Sequence, residues 1–168
     1  MAKKIKLEYK PSEDYKFICI SCQLKDYRLC FHLNKKLGFD FKKIQDFETP
    51  NGKKNKKFSL YFFDYLDNQV YFFLIANKNL NDVLISELKH MDYFILIHGA
   101  INDKKSQTFI NEIKKIPQIL MANEINPDKI KSANNLFSDL ELHLMQFQLK
   151  EKNADCKKSS IKTVWCDF

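Results

Sequence analysis

The chain alternates short, densely apolar runs with lysine-rich connectors, and the period inside each run separates strand from helix. Tyr15–Ile20 (YKFICI) reads as a strand. Over Leu24–Leu37 the period changes, and Leu24, Tyr27, Cys30, Phe31, Asn34 and Leu37 fall on one helical stripe. Gly38 suits a left-handed C-terminal cap. Phe39–Phe47 (FDFKKIQDF) alternates as a half-buried strand does, and TPNGKKNKK beyond it is a polar turn. Phe58–Tyr65 and Val70–Ala76 form an antiparallel hairpin across the short polar link Leu66–Gln69. Both strands, like Tyr93–Ile97, are apolar at odd and even positions alike, which predicts a sheet covered on both faces.

Further along, Lys105–Ile116 is helical with Phe109, Ile110 and Ile113 on one face, and Pro117 stops it before the strand Gln118–Ala122. Asn126-Pro127-Asp128 starts a long helix reaching about Leu149. Its stripe is Ile130, Ala133, Phe137, Leu140, Leu144 and Phe147, widened by Leu136 and Met145. The pattern predicts an α+β fold: a mixed, mostly antiparallel sheet of about five to six strands with three main helices. Strand 93–97, helix 105–116 and strand 118–122 would form a right-handed βαβ crossover. The division expected is a single domain over 1–149 and a basic, mobile tail over 150–168, whose Val164-Trp165 pair is apolar enough to dock.

Composition adds limits. At 168 residues with 45% hydrophobic and 14% aromatic content, the chain can bury a ring-rich core. No window reaches the roughly 20 consecutive apolar residues of a membrane span, and no apolar segment follows the basic N-terminus, so a cytoplasmic protein is expected. The cysteines at 19, 22, 30, 156 and 166 are odd in number and irregular in spacing, which suits reduced thiols. The net charge of +7 attracts phosphates, and Lys53, Lys54, Lys56 and Lys57 are the candidate nucleic-acid contacts. Against that stands a single arginine, Arg28, because guanidinium is the usual reader of nucleic acid.

Candidate chemistry is sparse. Cys19, Cys22, Cys30 and His32 supply four soft ligands, but strand parity sends Cys19 and Cys22 to opposite faces, so buried thiols are expected instead of zinc. Cys156 and Cys166 lack a CxxC partner. His98 ends a strand before Gly99 and the loop Ala100–Lys104, a place where active sites sit, yet it has no visible nucleophile or base. In ISELKHMDYFILIH (85–98), a short helix starting at Asn81-Asp82 would turn Leu84, Leu88 and Met91 inward and Ser86, Glu87, Lys89 and His90 outward. Asp92 then accepts backbone N–H bonds at the helix–strand junction. Glu87 and Asp92 stand across that break, so spacing does not pair them. No catalytic residue, metal set, cofactor site or small-molecule ligand is identified.

The segments KDYRLCFHLNKKLGF (25–39), FSLYFFDYLDNQVYFFLIANK (58–78), LISELKHMDYFILIHG (84–99) and IPQILMANEINPDKIKSANNLF (116–137) resemble the IPExxxDY family of small bacterial proteins, met chiefly in Bacteroidetes. Ile85, Glu87, Asp92 and Tyr93 correspond to the motif, with Ser86 at its proline. The resemblance spans roughly residues 5–145 and implies no activity, cofactor or catalytic residue. The expectation is a non-enzymatic protein acting through protein–protein contacts. Self-association as a homodimer would cover a bare sheet face through Tyr61, Phe63, Tyr71 and Phe73. The alternatives are a nucleic-acid or ribosome-associated protein using the Lys-rich loop, and an enzyme using the neighbourhood of Glu87, Asp92 and His98.

Overall fold

The computed structural model describes residues 15–49, 56–65, 70–80, 82–126, 129–130, 136–140, 142–143 and 145–146. In chain order the elements are β1 (Tyr15–Cys22), α1 (Asp26–Leu37), β2 (Lys42–Lys43), β3 (Phe47–Thr49), β4 (Lys56–Phe58), β5 (Leu60–Tyr65), β6 (Val70–Ala76), β7 (Lys78–Asn79), β8 (Asp82–Val83), a 3-10 turn (Ser86–Leu88), β9 (Tyr93–His98), α2 (Asp103–Lys114) and β10 (Ile119–Ile125). Six strands form one sheet in the order β10-β1-β9-β6-β5-β2, with two small ribbons, β3-β4 and β7-β8. The α+β class with a mainly antiparallel sheet is therefore the fold.

The expected βαβ unit takes a different form. β1 lies between β9 and β10 and pairs antiparallel with both, so β9 and β10 run the same way without touching, and α2 links them. Every ladder is antiparallel because an interposed strand, not a parallel neighbour, satisfies their backbone groups.

Residues directly opposed in a ladder share a face. On one face Ile18, Ile20, Phe72, Leu74, Ile95 and Ile97 pack with Leu29, Cys30 and Leu33 of α1 and with Ile110 and Ile113 of α2. On the other, Phe17, Cys19, Leu60, Phe73, Ile75, Phe94 and Leu96 are 0–3% exposed. This double burial at the strand centres is what the unbroken apolar runs require; towards the β5–β6 link Phe62, Phe63 and Tyr71 are half-buried and Tyr65 is exposed. The pairings Tyr61↔Leu74, Phe63↔Phe72, Phe62↔Phe73 and Asp64↔Tyr71 also place Tyr61 and Phe63 on the helix face and Tyr71 and Phe73 on the opposite one. Those four rings are not one patch.

Several boundaries differ from the sequence reading. In α1 the buried residues are Leu29, Cys30 and Leu33, while Tyr27 and Phe31 are 59% and 62% exposed. Two helical stripes compete there, and the one with two leucines faces the sheet. Residues 39–47 contribute only the two-residue β2, and Phe47 begins a separate ribbon. The strand expected over 58–65 breaks at Ser59, with β4 joining that ribbon and β5 the main sheet. Asp82–Val83 is strand and not a helix start, and the helical turn shrinks to Ser86–Leu88 with Ile85 buried before it.

The chain divides into two compact units, Met1–Asn134 and Asn135–Phe168. In the second unit residues 136–140, 142–143 and 145–146 are helical. Leu136, Phe137 and Leu140 are buried, whereas Met145, expected on the buried stripe, is 61% exposed. The helix start at Pro127-Asp128, Ala133, Leu144, Phe147, the hairpin link 66–69 and the tail 150–168 lie outside the described residues. Among the described residues no helix is long and apolar enough to cross a membrane.

Candidate functional site

The motif residues around Asp92 form a junction. The Asp92 carboxylate accepts the Cys22 backbone N–H at 2.9 Å and the Ser21 hydroxyl at 3.1 Å, and it pairs with the Lys78 ammonium at 2.7 Å. Tyr93 donates its hydroxyl to the Leu24 carbonyl at 2.7 Å. Beside them Asn77, fully buried, donates to the Leu88 and Met91 carbonyls and accepts from the Ile85 N–H, each at 2.9 Å. Through these bonds Asp92 anchors its loop to β1, as a carboxylate at a helix–strand junction should.

The enzyme constellation does not assemble. Glu87 is exposed on the 3-10 turn, with the Ser86 hydroxyl 3.4 Å from its carboxylate. Asp92 precedes the six-residue β9 and His98 ends it, which at about 3.3 Å per residue puts them about 20 Å apart. The His98 imidazole instead stacks on Tyr15 at 4.6 Å and on Tyr71 at 6.0 Å between ring centroids. Cys19 and Cys22 leave β1 on opposite faces, Cys22 joining the helix-side core after a register shift at Ser21/Cys22. Burial pushes the thiol of Cys19 up to about 12, and burial with the nearby Asp26 and Asp40 carboxylates pushes Cys30 up to about 11. His32 packs edge-on against Phe31. Such thiols are core residues with little thiolate character.

Of the four candidate nucleic-acid lysines, Lys53 and Lys54 lie outside the described residues. Lys56 pairs with Asp82 at 3.0 Å and Lys57 with Glu48 at 2.9 Å. Both ammonium groups already face carboxylates, which weakens their field on a phosphate.

A concave site lies elsewhere. Leu37, Gly38, Phe39, Tyr65, Val70, Phe72, Ala100, Ile101, Lys105, Thr108 and Phe109 line a cleft of about 460 Å³ where α1 ends, α2 begins and the β5–β6 strands terminate. Its shape follows from local rules. Gly38 closes α1 at φ +67°, the left-handed conformation that glycine adopts without steric cost. Asn34, one turn earlier, then grips Phe41: its amide donates to the Phe41 carbonyl at 3.2 Å and its oxygen accepts the Phe41 N–H at 2.9 Å. This clamp drops Phe39 between the sheet and α2. Its ring lies 4.9 Å from Phe63, 4.8 Å from Phe72 and 5.4 Å from Phe109, and Phe72 meets Phe109 edge-on at 5.6 Å. Rings at these separations pack against one another, so the floor is aromatic.

The rim is polar and partly committed. The Thr108 hydroxyl donates to the Lys104 carbonyl at 2.8 Å, and Asn102 caps α2 by accepting the Lys105 backbone N–H at 2.8 Å. The described ion pairs engage Lys16, Lys36, Lys42, Lys43, Lys56, Lys57, Lys78 and Lys115. Lys105 is in none of them.

Sequence reasoning missed this cleft. The loop Ala100–Lys104 attracted notice for His98, but its contribution is Ala100 and Ile101 to the wall. The available signal was the glycines: only three occur, and Gly38 and Gly99, both at positive φ, stand at the two chain turns that frame the cavity. Neither a family model nor a curated protein matches the chain.

Proposed function

We propose that the protein is a non-enzymatic binding protein whose cleft between α1, α2 and the end of the β5–β6 hairpin receives a compact apolar ligand. The supporting observation is the wall: a floor of Phe39, Phe72 and Phe109 with Leu37, Val70 and Ile101 around it. Such a surface gains by losing water and making dispersion contacts, and it has few groups able to move protons or attack a bond. A cavity of about 460 Å³ suits a small molecule, whereas a protein partner calls for a broad surface. This reading puts a small-molecule ligand in place of the protein partner expected from the sequence. On this reading the protein acts in the cytoplasm, and the resemblance to the IPExxxDY family is kinship of scaffold. Ile85, Asp92 and Tyr93 then serve the junction and not the ligand.

The test is a titration of the full chain with the neutral probe 1-naphthalenemethanol, followed by methyl NMR. Binding should shift the methyl signals of Leu37, Val70, Ala100 and Ile101 while those of Ile20 and Ile95, under the helices, stay fixed. Shifts absent at millimolar probe, or centred away from these four residues, would overturn the reading.

A further inference from the structure

Resting on that reading, we infer that the natural ligand is a small molecule with an aromatic or branched aliphatic body and one carboxylate, the anion being held by the Lys105 ammonium. Three features of the cleft converge on this. The floor is made of rings and aliphatic groups, so the seated part of the ligand is apolar. Among the described cationic side chains only Lys105 lines the wall, and no described carboxylate neutralises it, in contrast to the eight lysines held in ion pairs. Among the described residues no acidic side chain lines the cavity, so a cationic ligand would find no counter-charge in its wall.

The remaining polar groups sharpen the class. The Lys105 backbone N–H is already taken by Asn102, so what Lys105 itself offers an anion is its side-chain ammonium. The Thr108 hydroxyl donates to Lys104, so it meets a ligand chiefly as an acceptor. A single ammonium is a point charge without the bidentate fork of arginine, and it suits a monoanion better than a phosphate ester that needs several donors. Lys105 is exposed at the rim, so its pull on the anion is partly screened by water and salt.

Calorimetric titration of the full chain with 1-naphthoate and with 1-naphthalenemethanol tests the inference, because the two probes share a ring body and differ in charge. The carboxylate should bind about fivefold more tightly at low salt, the factor a partly exposed ion pair supplies. Lys105→Gln should remove that preference while leaving the neutral probe's affinity unchanged, and Lys104→Gln, on the same helix but outside the cleft wall, should leave both affinities unchanged. Equal affinity for the two probes in the unaltered chain, or a preference that survives Lys105→Gln, would overturn the charge assignment and leave the apolar cleft standing. Failure of both probes to bind would overturn the cleft reading as well.

Discussion

Replacing Asn77 by alanine should destabilise the fold through the loss of a buried polar anchor. Asn77 is 0% exposed, and its amide group makes three hydrogen bonds of 2.9 Å, to the Leu88 and Met91 carbonyls and from the Ile85 N–H. The Met91 carbonyl and the Ile85 N–H flank the 3-10 turn without a ladder partner to fall back on, whereas the Leu88 carbonyl also accepts the Met91 N–H at 2.9 Å. Each bond contributes about 1 kcal/mol net, and a buried group left without a partner costs about 1–3 kcal/mol. The bonds to Met91 and Ile85 are buried and the one to Leu88 is partly so, which places the total near 3–5 kcal/mol. Against a typical stability of about 5–15 kcal/mol this is a large fraction. Urea unfolding followed by circular dichroism should show the midpoint falling by about 2 M for a slope of about 2 kcal/mol/M. Asn77→Asp, of almost identical shape, sharpens the test. It aims a second acceptor at two carbonyls and buries a charge, so at neutral pH it should be no better than alanine. Burial raises the folded-state pKa of that introduced carboxyl, so its penalty is present above the unfolded value and shrinks as pH falls towards about 4. A loss below about 1 kcal/mol for Asn77→Ala, or an Asn77→Asp protein as stable as the parent at pH 7, would refute the argument that this side chain holds the 77–92 segment together.

Further outcomes follow from burial and backbone geometry. Leu33→Ala should cost about 2–5 kcal/mol, whereas Phe31→Ala, on the exposed side of α1, should stay within about 0.5 kcal/mol, both read from urea midpoints. Cys19, Cys22 and Cys30 should resist alkylation in the native protein at pH 8, as read by peptide mass mapping, because burial keeps all three thiols protonated. The folded-state pKa values of Cys19 and Cys30 lie above the unfolded value of about 8.5, so the stability these two contribute is complete below that pH and declines as pH rises through about 11 to 12. Gly38→Ala should cost about 1 kcal/mol of thermal stability from the left-handed backbone alone, since an added Cβ meets no atom within 4 Å.

The elements were legible where one local rule dominated. The strands at 70–76 and 93–98 announced themselves by apolar residues at consecutive positions, and their double burial follows from that pattern. Gly38 and Pro117 marked helix ends because backbone conformation is dictated locally. Asp92 was readable as a junction carboxylate for the same reason: it sits where helical period gives way to strand. Errors arose where two local patterns were equally good. On α1 the stripe through Tyr27 and Phe31 and the stripe through Leu29 and Leu33 both satisfy the helical period, and only the sheet beneath selects between them.

By itself the sequence determined the class of object: an α+β chain with a ring-rich core, a sheet apolar on both faces, and charges distributed over lysines in the connectors. Tertiary structure decided which strands become neighbours and what meets at their ends. Inserting β1 between β9 and β10 is a choice among strand orders of similar local merit, and it is made by the summed burial of distant segments. The cleft has the same origin. Phe39, Phe72 and Lys105 come from three separate segments, and no periodicity relates them. Local sequence specifies dihedral angles and faces, because those depend on near neighbours. A concave site is a relation between faces, and it exists only once long-range packing has brought them together.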